Sequence, residues 1–156
     1  MSEARRFAPF RERCGVIIIP TMNGRRRPGW RSIRVKCTVP SSVMAEFTLS
    51  AFAPKFAARS NAYGTAACLS RAVNELVMAL FALNRKYPIN DKTALAEVAE
   101  FERAPGEFGP RVQKTLAHPG SSAPELVAAV EGVAELMRET VQLAGGLYQP
   151  RFPLPK

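Results

Sequence analysis

The longest stretch of regular apolar spacing lies between Ala62 and Tyr87, and it constrains the fold more than any other feature of the chain. Apolar side chains recur there at steps of three and four, which is the spacing of one helix face. They are Ala66, Leu69, Val73, Leu76, Val77, Leu80 and Leu83. Pro88 follows, and proline cannot continue a helix because it lacks an amide proton. The pattern therefore predicts a long helix with one broad buried face, from about Ala62 to Tyr87.

Shorter helices are predicted on both sides of this one. The first is capped by a serine, Ser41 or Ser42, and Pro54 should end or kink it. The helix after the long one should start at Asn90 or Asp91, whose side chains can accept hydrogen bonds from exposed amides.

Two more helices complete the predicted bundle. One runs from about Glu107 to His118. The last opens at Ser122 and Glu125, which form a capping box, and ends at Gly145-Gly146, where a left-handed cap costs least. Residues 147–156 contain three prolines and are predicted to be extended.

Residues 1–40 differ from the rest of the chain in charge and pattern. They hold ten Arg and Lys against two Glu, a net +8, whereas residues 41–156 hold twelve against eleven acidic residues. Two strand candidates, Cys14 to Ile19 and Trp30 to Val39, flank an Arg-rich loop. We therefore predict a mainly α protein: a bundle of about five helices over residues 41–146, preceded by a short basic β-like arm that is a hairpin or partly disordered.

The cysteines and the apolar runs bear on location. Cys14, Cys37 and Cys68 are an odd number at wide spacing, which favours reduced thiols in the cytoplasm over a disulfide framework. The apolar runs, Gly15 to Ile19 and Leu76 to Leu83, are too short for a signal peptide or a membrane span. We expect a cytoplasmic protein with no membrane segment.

The inventory of reactive side chains excludes several chemistries. The chain has one His and one Asp, Asp91, and its cysteines are far apart. A zinc site needs clustered Cys, His or carboxylate ligands, and two-metal phosphoryl transfer needs convergent carboxylates. No GxSxG motif is present for a serine nucleophile. We therefore predict no catalytic residue, no metal site and no cofactor in this chain.

The Arg-rich loop from Gly24 to Ser32 has the glycine spacing of a phosphate loop but leads into strand-like alternation, whereas a phosphate loop must lead into a helix. An Arg-rich turn between two strands is the simpler interpretation. As an alternative, the arm binds nucleic acid or another anion, with arginines on phosphates and the tryptophan stacking on a base. The contact residues would be Arg25, Arg26, Arg27, Trp30, Arg31 and Arg34.

Two other polar patterns have alternative interpretations. Arg111 and His118 have the Arg-x6-His spacing that is similar to the ribonuclease motif of HEPN domains, although a helix cap is a common role for such a His. Glu131, Glu135 and Glu139 lie four apart. They form a solvated acidic face, or receive a polyamine-like cation or the chain's own basic arm.

The stretch from about Glu46 to Leu143 resembles the C-terminal helical domain of bacterial nucleotidyltransferase-type proteins related to antibiotic nucleotidyltransferases. The likeness is carried by "AACLSRAVNELVMALFALNRKYPINDKTAL", with Asp91 in place of the more usual Glu. The matching positions are Arg71, Leu80, Phe81, Ala82, Leu83, Asn84, Tyr87, Asn90 and Lys92.

In that family a separate N-terminal domain holds a Gly-Ser loop and paired metal-binding aspartates, and this chain has neither. The resemblance implies a non-catalytic accessory or acceptor-binding domain. It implies Mg²⁺ and a nucleotide only where a catalytic partner domain exists; the alternative partner is a second copy of the chain. Asn84, Arg85, Tyr87 and Lys92 become candidates for a ligand or interdomain contact, unless this segment is only a structural corner between helices.

Overall fold

The computed structural model describes residues 41–155 and shows a mainly helical domain. Its first helical stretch, residues 41–57, is continuous: α1 (residues 41–47), a π-helical turn and α2 follow one another without a break, so we count them as one helix. Within residues 41–155 this makes five helices and no strand, as the periodicity predicts; the β-like arm at residues 1–40 lies outside the described part. The elements are α1 (residues 41–47), the π turn (Thr48–Phe52), α2 (Ala53–Ala57), α3 (Ala62–Leu83), α4 (Ala94–Ala99), α5 (Phe108–Ala117), α6 (Ala123–Ala144) and a 3₁₀ turn (Gly145–Leu147).

The core is built around α3 and α6, which pack against each other. The π turn, α2 and α5 each contact both of these helices, and α4 packs on α3 and α5. Every residue of the predicted stripe on α3 is buried except Ala66, which is partly exposed. By length and composition α3 could span a membrane, but more than half of its apolar window is buried by neighbouring helices, which is the environment of a core helix.

The sequence predicts that Pro54 ends or kinks the first helix, but the helical stretch does not end there. The chain instead passes through the π turn, in which the Ala53 amide donates to the Thr48 carbonyl, five residues back. Pro54 then falls in the first turn of α2, where a missing amide proton costs little. The wider π turn places the proline at a new helix start, so the backbone stays helical.

Two predicted boundaries near Pro88 are wrong by several residues. Helix α3 ends at Leu83 rather than Tyr87, because Arg85 adopts a left-handed backbone with φ of 58°. Helix α4 begins at Ala94, later than Asn90 or Asp91. The segment between these helices is therefore a longer loop than predicted, and its side chains are described below.

The predicted boundaries of α5 and α6 are confirmed. Helix α5 spans Phe108–Ala117, between Glu107 and His118 as flanking residues. The capping box of Ser122 and Glu125 is present at the start of α6, and Gly145 follows its end with φ of 54°. These boundaries depend on local hydrogen bonds, which is why the sequence predicts them.

Residues 147–155, called the closing segment below, run back over the bundle after α6. Tyr148 has an extended backbone and is only 4% exposed. Leu147 and Leu154 pack against the core, and the Phe152 ring lies 5.1 Å from the Phe47 ring of α1. The predicted extended tail is therefore seated on the helices.

Candidate functional site

Asn84 closes the end of α3 and ties it to a distant loop. Its amide nitrogen donates to the carbonyls of Leu80 and Arg103, each at 2.8 Å. Its side-chain oxygen accepts from the Arg103 amide at 3.0 Å. All three bonds go to the protein's own backbone, so the Asn84 side chain holds the loop at Arg103 against the end of α3.

The residues after Asn84 stop the helix and anchor it to the core. The amides of Arg85 and Lys86 donate back to Ala82 and Phe81, the usual closing bonds of a helix end. The Lys86 ammonium lies 4.6 Å from the centre of the Phe101 ring, a cation–π contact. Because Phe101 itself packs edge-on against a core ring, the start of this loop is fixed to the bundle interior.

Asn90 shapes the second half of the loop. Its side-chain oxygen accepts from the amides of Lys92 and Thr93, at 2.9 and 3.3 Å. The Thr93 hydroxyl also donates to Glu97 at 2.7 Å, which connects the loop to α4. Asn90 therefore caps loop amides rather than a helix start, and α4 begins later than predicted for this reason.

We call residues 84–93 the corner. Asn84 and Asn90 form hydrogen bonds with the backbone, so the remaining side chains of the corner are the ones that can contact a partner. Ile89 is 88% exposed and Tyr87 is 49% exposed, while Arg85 and Lys92 are also exposed. The corner thus presents apolar and cationic side chains, together with the exposed carboxylate of Asp91, on a loop whose backbone is fixed by the two asparagines. Such a surface can dock against an acidic partner with an apolar centre.

The other predicted contact residues belong to the basic arm at residues 1–40. Arg25, Arg26, Arg27, Trp30 and Arg31 lie outside the described residues. The proposal of a nucleic-acid contact through them stays a prediction.

Arg111 holds α5 to α6. Its guanidinium forms an ion pair with Glu139 at 2.7 Å and donates to the Gly106 carbonyl at 3.3 Å. His118 is exposed and follows the last residue of α5. Arg111 is thus committed to an interhelical ion pair, and the ribonuclease interpretation stays an untested hypothesis.

The acidic residues of α6 are partly engaged by arginines. Glu139 pairs with Arg111, and Glu135 pairs with Arg138, three residues later on the same helix. Glu131 is exposed. The Arg138 guanidinium also donates to the Pro155 carbonyl, so this face of α6 holds the end of the closing segment.

Sequence reasoning missed Glu46, a fully buried carboxylate on α1. One of its oxygens, Oε2, accepts from the Tyr148 hydroxyl at 2.5 Å and from the Arg151 amide at 2.8 Å. The other oxygen, Oε1, is buried without a hydrogen-bond partner. A signal was present, because Glu46 lies between Ala45 and Leu49 on the face of the first helix that is otherwise small or apolar.

Burial changes the acid–base properties of two groups near the core. It raises the pKa of the Tyr148 hydroxyl above its ordinary 10.0, and the hydrogen bond and negative charge of Glu46 raise it further. Burial also raises the pKa of the Cys68 thiol, against the influence of Arg71. In both groups the shift favours the neutral form.

Among residues 41–155 there is no group of three or more His, Cys, Asp or Glu placed to hold a metal ion. A shallow concavity of about 250 Å³ follows the 3₁₀ turn. It is lined by Gly146, Leu147, Tyr148, Gln149, Pro150 and Arg151. Two of these residues are the donors to Glu46.

In comparisons with known proteins, no family model, no curated protein and no solved structure matches the chain.

Proposed function

We propose that this chain is a helical accessory domain that works beside a separate nucleotidyltransferase catalytic domain, and that the corner is the surface it presents to that domain or its acceptor. The observation that carries the proposal is the construction of the corner. Asn84 and Asn90 hold its backbone, and Ile89 stands 88% exposed at its centre.

This construction favours a binding role because an exposed loop with a fixed backbone loses little conformational entropy when it binds. A large apolar side chain on such a loop gains from burial by a partner. Arg85 and Lys92 lie on the same loop and suit an acidic rim around that contact. The corner also contains four of the nine positions that carry the family resemblance, namely Asn84, Tyr87, Asn90 and Lys92.

The division of labour follows from this proposal. A catalytic partner would hold Mg²⁺ and the nucleotide through its own aspartates, and this chain would position the partner or the acceptor. Such a domain would act in the cytoplasm, where Cys68, a free and buried thiol, stays reduced.

The test uses the protein encoded by the neighbouring reading frame, where that frame carries Gly-Ser and Asp-x-Asp motifs. Binding of the two purified proteins is measured by titration calorimetry. We expect Ile89→Asp to weaken binding at least tenfold, because it places a charge in the centre of the contact. Tyr63→Asp is the matched control, since Tyr63 is 87% exposed on α3, outside the corner.

Two outcomes would count against the proposal. One is equal binding by the native chain and the Ile89→Asp variant. The other is metal-dependent nucleotide transfer to an aminoglycoside by the purified chain alone, which would make it an enzyme in its own right.

A second candidate function rests on the charge of the arm, since residues 1–40 hold a net +8 and residues 41–156 only +1. In this proposal the arm binds nucleic acid through its arginines and Trp30. Binding of a fluorescent single-stranded oligonucleotide should weaken steeply with salt and disappear when residues 1–40 are deleted. Binding that survives the deletion would rule out the arm as the binding element.

A further inference from the structure

The closing segment is held on the bundle by a small set of side-chain contacts. Glu46 accepts from the Tyr148 hydroxyl and the Arg151 amide, at 2.5 and 2.8 Å. The ring of Phe152 packs on Phe47 at 5.1 Å, and Phe47 also meets the Phe52 ring at 5.3 Å. At the far end Arg138 of α6 donates to the Pro155 carbonyl. The contacts to α1 join residues more than a hundred positions apart, and the contact to α6 joins residues 17 positions apart, so the segment has a defined seat on α1 and α6.

When the closing segment lies on the bundle, the buried carboxylate of Glu46 lowers the stability of that arrangement. The Oε1 atom is buried and has no hydrogen-bond partner, and an unpaired buried carboxylate oxygen is costly. Both donors to Oε2 belong to the closing segment, so lifting this segment frees Oε2 to form hydrogen bonds with water. Hydration of Glu46 offsets part of the loss of the seated contacts and favours opening.

The junction between α6 and the closing segment is built to change direction. Gly145 has φ of 54° and ψ of −132°, a conformation that side chains other than glycine rarely adopt. A Cβ atom at Gly145 or Gly146 would meet nothing within 4 Å. Packing therefore does not require glycine at these positions, whereas the positive φ of Gly145 does favour it there. The glycine pair contributes backbone freedom at the point where the segment leaves the helix.

We propose that the closing segment opens about Gly145–Gly146 and exchanges with the closing segment of a second copy of the chain, giving a swapped dimer. The occupant that suits the seat is this same sequence. The seat takes a tyrosine hydroxyl, a main-chain amide three residues later and then a phenylalanine ring. An exchanged segment restores each of these contacts, so the dimer differs from the monomer only in the hinge and in the entropy of association.

Exchange is tested by a mixture of two variants in which Cys14, Cys37 and Cys68 are replaced by Ala. One variant carries Phe47→Cys and the other Phe152→Cys. Dibromobimane, which bridges two adjacent thiols, is then added to the equimolar mixture. We expect a covalent heterodimer on a denaturing gel, in an amount that rises with protein concentration. Its absence overturns the proposal, provided that the double variant in a single chain is bridged within itself.

Two controls make the result specific. Replacing the Phe47→Cys partner by a Tyr63→Cys variant places the thiol on an exposed position of α3 and measures random collision. Sedimentation velocity of the unmodified chain avoids any folding defect of the variants. A dimer fraction that rises with concentration and is lost in a chain lacking residues 147–156 supports exchange; a monomer at every concentration overturns it.

Discussion

Replacing Asn84 by Ala tests whether the end of α3 is a structural joint. The change removes three hydrogen bonds, to the Leu80 carbonyl and to the carbonyl and amide of Arg103. The two bonds to Arg103 are exposed, so water replaces them well, and each is worth about 0.5 kcal/mol. The partly buried bond to Leu80 is worth about 1 kcal/mol. We therefore expect the free energy of unfolding to fall by about 2 kcal/mol.

The assay is urea unfolding followed by circular dichroism, together with amide hydrogen exchange at Arg103. The Arg103 amide donates to Asn84 in the native chain and should exchange faster in the variant. Asn74→Ala is the matched control, because Asn74 is exposed within α3. It should change the stability by less than about 0.5 kcal/mol.

The structural role of Asn84 would be refuted if the Asn84→Ala variant unfolded like the native chain and its amide hydrogen exchange at Arg103 were unchanged. Asn84 would then be free to serve a ligand, and its three bonds would contribute nothing to the fold. Asn84→Asp gives an intermediate test, because it keeps an acceptor for the Arg103 amide and loses both donated bonds.

Three further predictions follow from single contacts. Burial, and then the contact with Glu46, raise the pKa of Tyr148, so its contribution to stability is complete below about pH 10 and is lost as the pH rises further. Absorbance at 295 nm, in a variant whose other tyrosines are replaced by Phe, should show that Tyr148 ionises only as the protein unfolds. Ionisation of Tyr148 before unfolding would contradict this prediction. Backbone amides hold the pKa of Glu125 at about 2, below its ordinary 4.5, so its stabilising effect is full above pH 4.5 and disappears as the pH falls towards 2. In Glu125→Gln the free energy of unfolding should therefore fall less steeply between pH 4.5 and pH 2. An unchanged dependence on pH in this range would argue against the prediction. In Gly64→Ala the new Cβ would lie 2.5 Å from the Phe56 ring, and this overlap outweighs the better helix propensity of Ala. We expect the free energy of unfolding, measured by thermal unfolding, to fall by about 1 kcal/mol. Adding Phe56→Leu should restore the stability, whereas a Gly64→Ala variant more stable than the native chain would disprove the close packing.

Part of the corner could be predicted from the sequence. The resemblance selected the segment that contains Asn84, Asn90 and Lys92, and Pro88 predicted a helix stop nearby. The roles of the two asparagines could not be predicted, because an asparagine side chain can cap a helix, stabilise a loop or bind a ligand. Asn84 spans nineteen positions to reach Arg103, and that distance has no sequence signature.

The sequence by itself determined the features that depend on neighbours within one or two turns. These are the buried stripe of α3, the capping box at Ser122 and the end of α6 at Gly145, because each is set by side-chain spacing or by hydrogen bonds of three or four residues.

Tertiary structure alone decided the features that join distant parts of the chain. The π turn carries the backbone past Pro54, and Arg111 pairs with Glu139 across two helices. Glu46 meets Tyr148 across 102 positions. A periodic pattern shows which face of a helix is buried but not what is buried against it, so a glutamate on the apolar face of α1 acquired its partners only when the closing segment folded back over it.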